Sequence, residues 1–127
     1  GTGDTGRNEQ VSRTPSELAS RAVMLARVKD AVDRDAAKGV DGFNASSWPT
    51  IKKLIQNGVP EGAGWEAFAK VHPELATHRA AFENAHRDYL DARALGVDAI
   101  LNTVPEAEKN TRETIESVYK NIWCVTR

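Results

Sequence analysis

The chain has 127 residues, of which 40% are hydrophobic, 28% charged and 6% aromatic, and its formal net charge is −1. That length suits one domain with a real core, and few aromatics beside abundant alanine favour close helix packing over pleated sheet. The near-neutral charge argues against a dedicated nucleic-acid binder, the single cysteine excludes an intrachain disulfide and multi-cysteine zinc, and no apolar run reaches the roughly 18–20 residues of a membrane span.

Residues 1–13 read as a flexible N-terminal segment, with glycines at 1, 3 and 6 and Val11 the only sizeable apolar residue up to Ser12. Such a stretch buries too little surface to offset the entropy of ordering it. Residues 14–127 are expected to form a single α-helical domain. Its first helix opens at Thr14-Pro15-Ser16-Glu17, where Thr14 caps free amides, Pro15 fits the first helical position and Glu17 reaches back as the capping-box partner. Leu18, Ala22, Leu25, Lys29, Val32 and Ala36 recur at steps of four and three, Met24, Val28 and Ala31 widen the stripe, and Gly39 is the expected stop.

A loop with Phe43 as anchor precedes a second helix at Trp48-Pro49, capped by Ser47 or Trp48, with Ile51, Leu54 and Ile55 on one side and Lys52, Lys53 and Gln56 on the other. Gly58 and Pro60 end it, Glu61 to Gly64 turns the chain, and Trp65, Phe68 and Ala69 mark one or two helical turns. His72-Pro73 restarts the helix, because proline disfavours helical geometry in the residue before it. Leu75, Phe82 and Tyr89 then recur every seven residues, with Ala85 and Ala92 between them, and Gly96 marks a kink or interruption. Thr103-Val104-Pro105-Glu106 repeats the opening grammar, predicting a last helix that buries Ala107, Thr111, Ile115, Val118 and Ile122, with Trp123 nearby. With no sustained period-two alternation, the fold class is all-α: a helical bundle or orthogonal helical array of four main helices plus one short helix.

The chain shows no Gly-x-Ser-x-Gly, His-Glu-x-x-His or phosphate-loop motif. Glu83-Asn84-Ala85-His86 has the spacing of di-iron bundle ligands, but a second copy and two further glutamates are missing, so the pair reads as surface. His78 and Arg79 read as polar margin, Asp88, Asp91, Glu106, Glu108, Glu113 and Glu116 as solvated helix faces, and Cys124 as an inert, partly packed thiol. No catalytic residue, metal site or cofactor is expected. Trp48, Trp65, Phe82 and Tyr89 are the candidate partner-binding residues, since exposed aromatics anchor interfaces. Lys52, Lys53 and Lys70 are the candidate DNA-binding residues, although three lysines alone imply little phosphate affinity.

The stretch from Trp65 through Leu101 resembles the middle of viral terminase small subunits. The matching residues are Trp65, the step His72-Pro73-Glu74-Leu75 and the run from Arg79 to Ile100, with Thr111-Arg112-Glu113 and Trp123 similar to the helix that follows the family's hairpin. The resemblance covers about half of the chain. It implies a ring-forming protein that binds viral DNA at a packaging site and regulates a motor subunit, with Lys52 and Lys53 as DNA contacts. Two features depart from it: the long first helix, and Ile51 to Trp65, which is too short and glycine-rich for the upstream helix-turn-helix such proteins carry. The residues themselves point first to a non-enzymatic helical binding domain with a protein partner, such as a module of a secreted bacterial effector or an assembly. DNA and a homo-oligomer are the alternative partners.

Overall fold

A computed structural model describes residues 12–34 and 43–125. Among the described residues there is no strand, and the fold is all-α, as the sequence predicts. The helices are α1 (Pro15–Arg34), α2 (Trp48–Asn57), α3 (Ala63–Val71), α4 (Pro73–Ala76), α5 (Arg79–Leu95), α6 (Val97–Leu101) and α7 (Lys109–Asn121), with a 3-10 turn, Ala45–Ser47, before α2. Residues 1–11, Ala36, Gly39 and Gly42 lie outside the described residues. The chain divides into two compact units: unit 1 comprises Gly1–Arg27 with Arg87–Arg127, and unit 2 comprises Val28–His86.

In unit 1 the predicted capping box forms. The Thr14 amide donates to Glu17 Oε1 at 2.9 Å, and the Glu17 amide donates to Thr14 Oγ1 at 3.1 Å. The Thr14 backbone amide, more than its hydroxyl, holds the Glu17 carboxyl below its usual range. The box therefore contributes at neutral pH and is lost as the pH falls through that lowered value. Leu18 and Ala22 are buried in α1, while Leu25 is only half-buried. Met24 and Val28 do not widen the stripe; they are 53% and 39% exposed. At about 100° per residue they sit some 80–120° round the helix from the Leu18 position, beyond the width one packed face can cover.

The core of unit 1 gathers Leu18, Ala22, Ile100, Leu101, Ile115 and Trp123. Gly96, at φ 85°, ends α5 outright and starts α6, so of the expected kink or interruption it is the interruption that occurs. The predicted helix start at Thr103 does not occur. Thr103 Oγ1 donates backwards to the Ile100 carbonyl at 2.7 Å, and Arg112 Nη1 donates to the carbonyls of Leu101 and Val104 at 2.7 and 2.9 Å. These bonds fix a turn there and delay α7 to Lys109, leaving Ala107 exposed rather than buried. Tyr119 is buried, its hydroxyl donates to the Ala92 carbonyl at 3.1 Å, and burial pushes the phenol pKa up.

Asp88 and Asp91 are not solvated. They are 4% and 0% exposed. Asp88 accepts from Arg13 Nε at 2.9 Å on one oxygen and from Arg21 Nε at 2.7 Å on the other. Asp91 Oδ2 accepts from the amides of Ser12 and Arg13, at 3.0 and 2.8 Å, and from Ser12 Oγ at 3.1 Å, while Oδ1 takes Arg87. The segment read as flexible thus ends in two pinned residues, Ser12 and Arg13. A buried carboxylate persists only when its oxygens are engaged by donors, and each oxygen of both acids is.

Unit 2 is built on Val32, Ile51, Leu54, Ile55, Leu75 and Phe82, all buried. The faces of α2 fall as the sequence predicts, with Lys53 exposed opposite Ile51, Leu54 and Ile55. Its cap differs. Asn44 Oδ1 accepts from the Ser47 amide at 3.1 Å and so caps the 3-10 turn, whereas Ser47 makes no side-chain cap bond to α2. The turn expected at 61–64 is shorter, because α3 begins at Ala63. His72 alone separates α3 from the single-turn α4, which Pro73 opens, and a further turn at Thr77-His78 precedes α5, so the expected continuous helix from Pro73 is split.

Replacing Asp91 with alanine is expected to cost about 3 kcal/mol, because it removes the shared acceptor of three donors just before α1 and the carboxylate that Arg87 contacts. Urea denaturation followed by far-UV circular dichroism measures it; a loss within about 0.5 kcal/mol, the range of an ordinary surface substitution, would show that the network does not hold the unit.

Candidate functional site

In unit 2, α3 has the sequence Ala-Gly-Trp-Glu-Ala-Phe-Ala-Lys-Val, with Glu66 in its first turn and Lys70 in its last. Despite that apolar composition, none of its nine residues is buried. One face is held by ring contacts. The Arg79 guanidinium lies 4.6 Å from the Trp65 ring centroid, Trp65 stacks on Phe68 at 5.5 Å, and Phe68 meets His72 at 5.0 Å. These four side chains are half-buried and form a continuous cation–aromatic ladder. The other face, carrying Ala63, Ala67 and Val71 at four-residue steps, is open to solvent, and Val71 is 70% exposed. Gly62, at φ 55°, aims the chain into this helix.

The four aromatic candidates fare differently. Trp65 lies at the centre of the ladder. Trp48 is half-buried, with Lys29 Nζ 5.1 Å from its ring centroid. Lys29 also pairs with Asp33 at 2.6 Å, so this residue, read as part of an apolar stripe, makes polar contacts. Phe82 is 5% exposed and packs against Phe43, with ring centroids 5.7 Å apart; it is a core residue and offers no partner surface. Tyr89 belongs to unit 1, where it is half-buried beneath the Arg93 guanidinium, 5.6 Å away.

Of the lysines, Lys53 and Lys70 are exposed and Lys52 half-buried, the first and last pair on α2 and the other on α3. Glu66 and Glu74, both exposed, accompany Lys70. Sequence reasoning missed Val71, and the signal was present: a β-branched residue in the last turn of a helix, one position before the His-Pro break.

Glu83 and His86 do not converge on a metal. Glu83 faces Arg79 at 3.6 Å, while His86 Nδ1 donates to the Ile55 carbonyl at 2.8 Å. A carbonyl only accepts, so Nδ1 carries the proton. His86 is therefore a packed residue rather than half of a surface pair. His78 likewise packs, edge-on to Phe43 at 5.0 Å, and Arg79 caps the ladder, so neither is mere margin polarity. Among the described residues no group of three or more His, Cys, Asp or Glu is placed to hold a metal. In unit 1, an open groove of about 720 Å³ is lined by Val97, Glu116, Tyr119, Lys120, Cys124 and Val125, among others. Cys124 is exposed rather than partly packed, and takes φ 53° so that the Val125 amide can return to the Tyr119 carbonyl at 2.8 Å.

Compared with known proteins, the chain has no significant match to a family model, a curated protein or a solved structure.

The His86 contact makes a checkable contrast between two glycines. Gly58 (φ 88°, ψ 169°) and Gly96 (φ 85°, ψ 156°) share a backbone region that side chains rarely adopt. A Cβ on Gly58 would stand 3.0 Å from His86 Cδ2, whereas one on Gly96 would meet nothing within 4 Å. Gly96→Ala is expected to cost about 1–2 kcal/mol from conformation alone, and Gly58→Ala about 1 kcal/mol more. Paired urea melts would measure the difference, and equal losses would remove His86 from the account.

Proposed function

We propose that the chain is a non-enzymatic helical binding domain that mediates protein–protein interaction, as an assembly or effector module, and that it binds through the open face of α3. The observation that carries this reading is a nine-residue apolar helix with no buried residue and a 70% exposed valine at its end. Soluble domains rarely leave a contiguous apolar face uncovered without a use for it. Behind that face, Trp65, Phe68 and Arg79 are ordered by one another, so docking would cost little further side-chain entropy. Two exposed charges of opposite sign, Glu66 and Lys70, supply a polar rim.

A second reading, a DNA-binding packaging protein of the terminase small-subunit kind, draws support from two observations. Unit 2 exposes Lys53 and Lys70, and α3 leads through His72-Pro73 towards the long α5 in the order that the resemblance describes. The charge balance and the acidic neighbours of Lys70 weigh against it.

One pair of measurements separates the two. A fluorescent DNA duplex titrated with the protein is expected to show no affinity beyond weak, non-specific binding, on the order of 10⁻⁴ M at physiological salt. A photo-reactive side chain in place of Val71 is expected to cross-link to protein, while the same group in place of Lys53 does not. Affinity for the duplex that falls steeply with salt and disappears in Lys52→Glu/Lys53→Glu would overturn the interaction reading in favour of the second.

A further inference from the structure

Resting on the interaction reading, we propose that the partner of α3 is a second copy of the same chain, docked antiparallel about a two-fold axis that passes between the two helices at the level of Phe68. Charge complementarity selects this occupant. At about 100° per residue, Glu66 and Lys70 lie on one flank of the open ridge formed by Ala63, Ala67 and Val71. Both are exposed. In an antiparallel pair related by a two-fold axis normal to the plane of the two helices, this flank lies on the same side in both copies. Glu66 of each copy then faces Lys70 of the other, giving two opposite-charge contacts from a single sequence. In a parallel two-fold pairing the same flank would lie on opposite sides of the two copies, so Glu66 and Lys70 of one copy would not meet those of the other; the charges therefore favour the antiparallel orientation.

Shape agrees with charge. Ala63 and Ala67 are small enough to let two helices approach to about 8 Å, the short end of the usual interaxial range, so that Val71 and the edge of Phe68 lose contact with water. Other occupants fit less well. An anionic lipid surface or a nucleic acid needs a basic rim, whereas α3 offers one lysine beside exposed Glu61, Glu66 and Glu74.

The test is sedimentation equilibrium of the full chain at up to about 100 μM, a range that detects even weak self-association. The wild type is expected to reach twice the 13.9 kDa of one chain. Val71→Asp is expected to remain monomeric with an unchanged far-UV helical spectrum, because position 71 supports no core. Glu66→Lys and Lys70→Glu, each alone, turn both contacts repulsive and are expected to weaken dimerisation about 5- to 20-fold. Mixed in equal amounts, these two variants set a doubly basic helix against a doubly acidic one, and the mixture is expected to recover the wild-type dimer. A wild type that stays monomeric overturns the proposal, as does a dimer indifferent to all three substitutions or a mixture no stronger than its components. If the chain is monomeric and the cross-linker at position 71 captures a different protein, self-pairing fails and the interaction reading stands; if it captures none, both fail.

Discussion

Unit 1 depends on one enclosed carboxylate. Asp91 has no solvent to hydrate it, so every lone pair must find a donor within the chain. Three of those donors come from Ser12 and Arg13, almost eighty positions away in sequence, and this fixes where α1 begins. Thr14, the next residue, can then cap the helix only from that point. Asp88, one turn earlier on α5, takes the side chain of Arg13 and that of Arg21. Arg13 is thus held at both its amide and its guanidinium. The two acids thus share one task, with each of their oxygens engaged by a donor from the opening segment, from Arg21 or from Arg87.

Unit 2 is governed by backbone breaks instead. Gly58 and Gly62 take positive φ, and Pro73 cannot donate to the turn before it, so α3 is cut to nine residues between them. A helix of that length is marginal alone in water and must be held by tertiary contacts. What holds α3 is the ladder of Arg79, Trp65, Phe68 and His72, whose links contribute on the order of 0.5–1.5 kcal/mol each. Because these contacts grip only one side, the helix is fixed without being buried.

The elements and their faces were legible where a local rule decides them. The capping box at Thr14, the buried trio of α2 and the stop at Gly58 all rest on spacing or on one residue's conformational range. Helix existence was legible too, though not continuity: the break at Thr77-His78 has no glycine or proline of its own. The failures share a cause. Thr103 follows the pattern of a cap, but Arg112, nine residues on, holds the surrounding carbonyls in a turn. Asp88 and Asp91 have the composition of a solvated face, and only their distant partners in the opening segment make them core. No local pattern encodes a contact across such a separation. For the candidate site, Trp65 was visible as a large aromatic at a helix start, whereas Phe82 could not be told from a surface aromatic, since a seven-residue repeat does not say which of its positions faces a neighbour.

That distinction bears on the meaning of the open face. Trp65 and Phe68 can be explained by the fold, because their rings carry the contacts of α3 to Arg79 and His72. Val71 cannot. It is mostly exposed, and valine is a weaker helix former than the lysine, glutamate or alanine that an exposed position would accept. With Ala63 and Ala67 on the same ridge and the edge of Phe68 beside it, Val71 is part of a contiguous surface rather than a lone apolar residue of the kind every protein displays. A position where a polar residue would serve the helix better, occupied by an apolar one, is what the proposed contact would account for. The opposite charges of Glu66 and Lys70 would give that contact a direction.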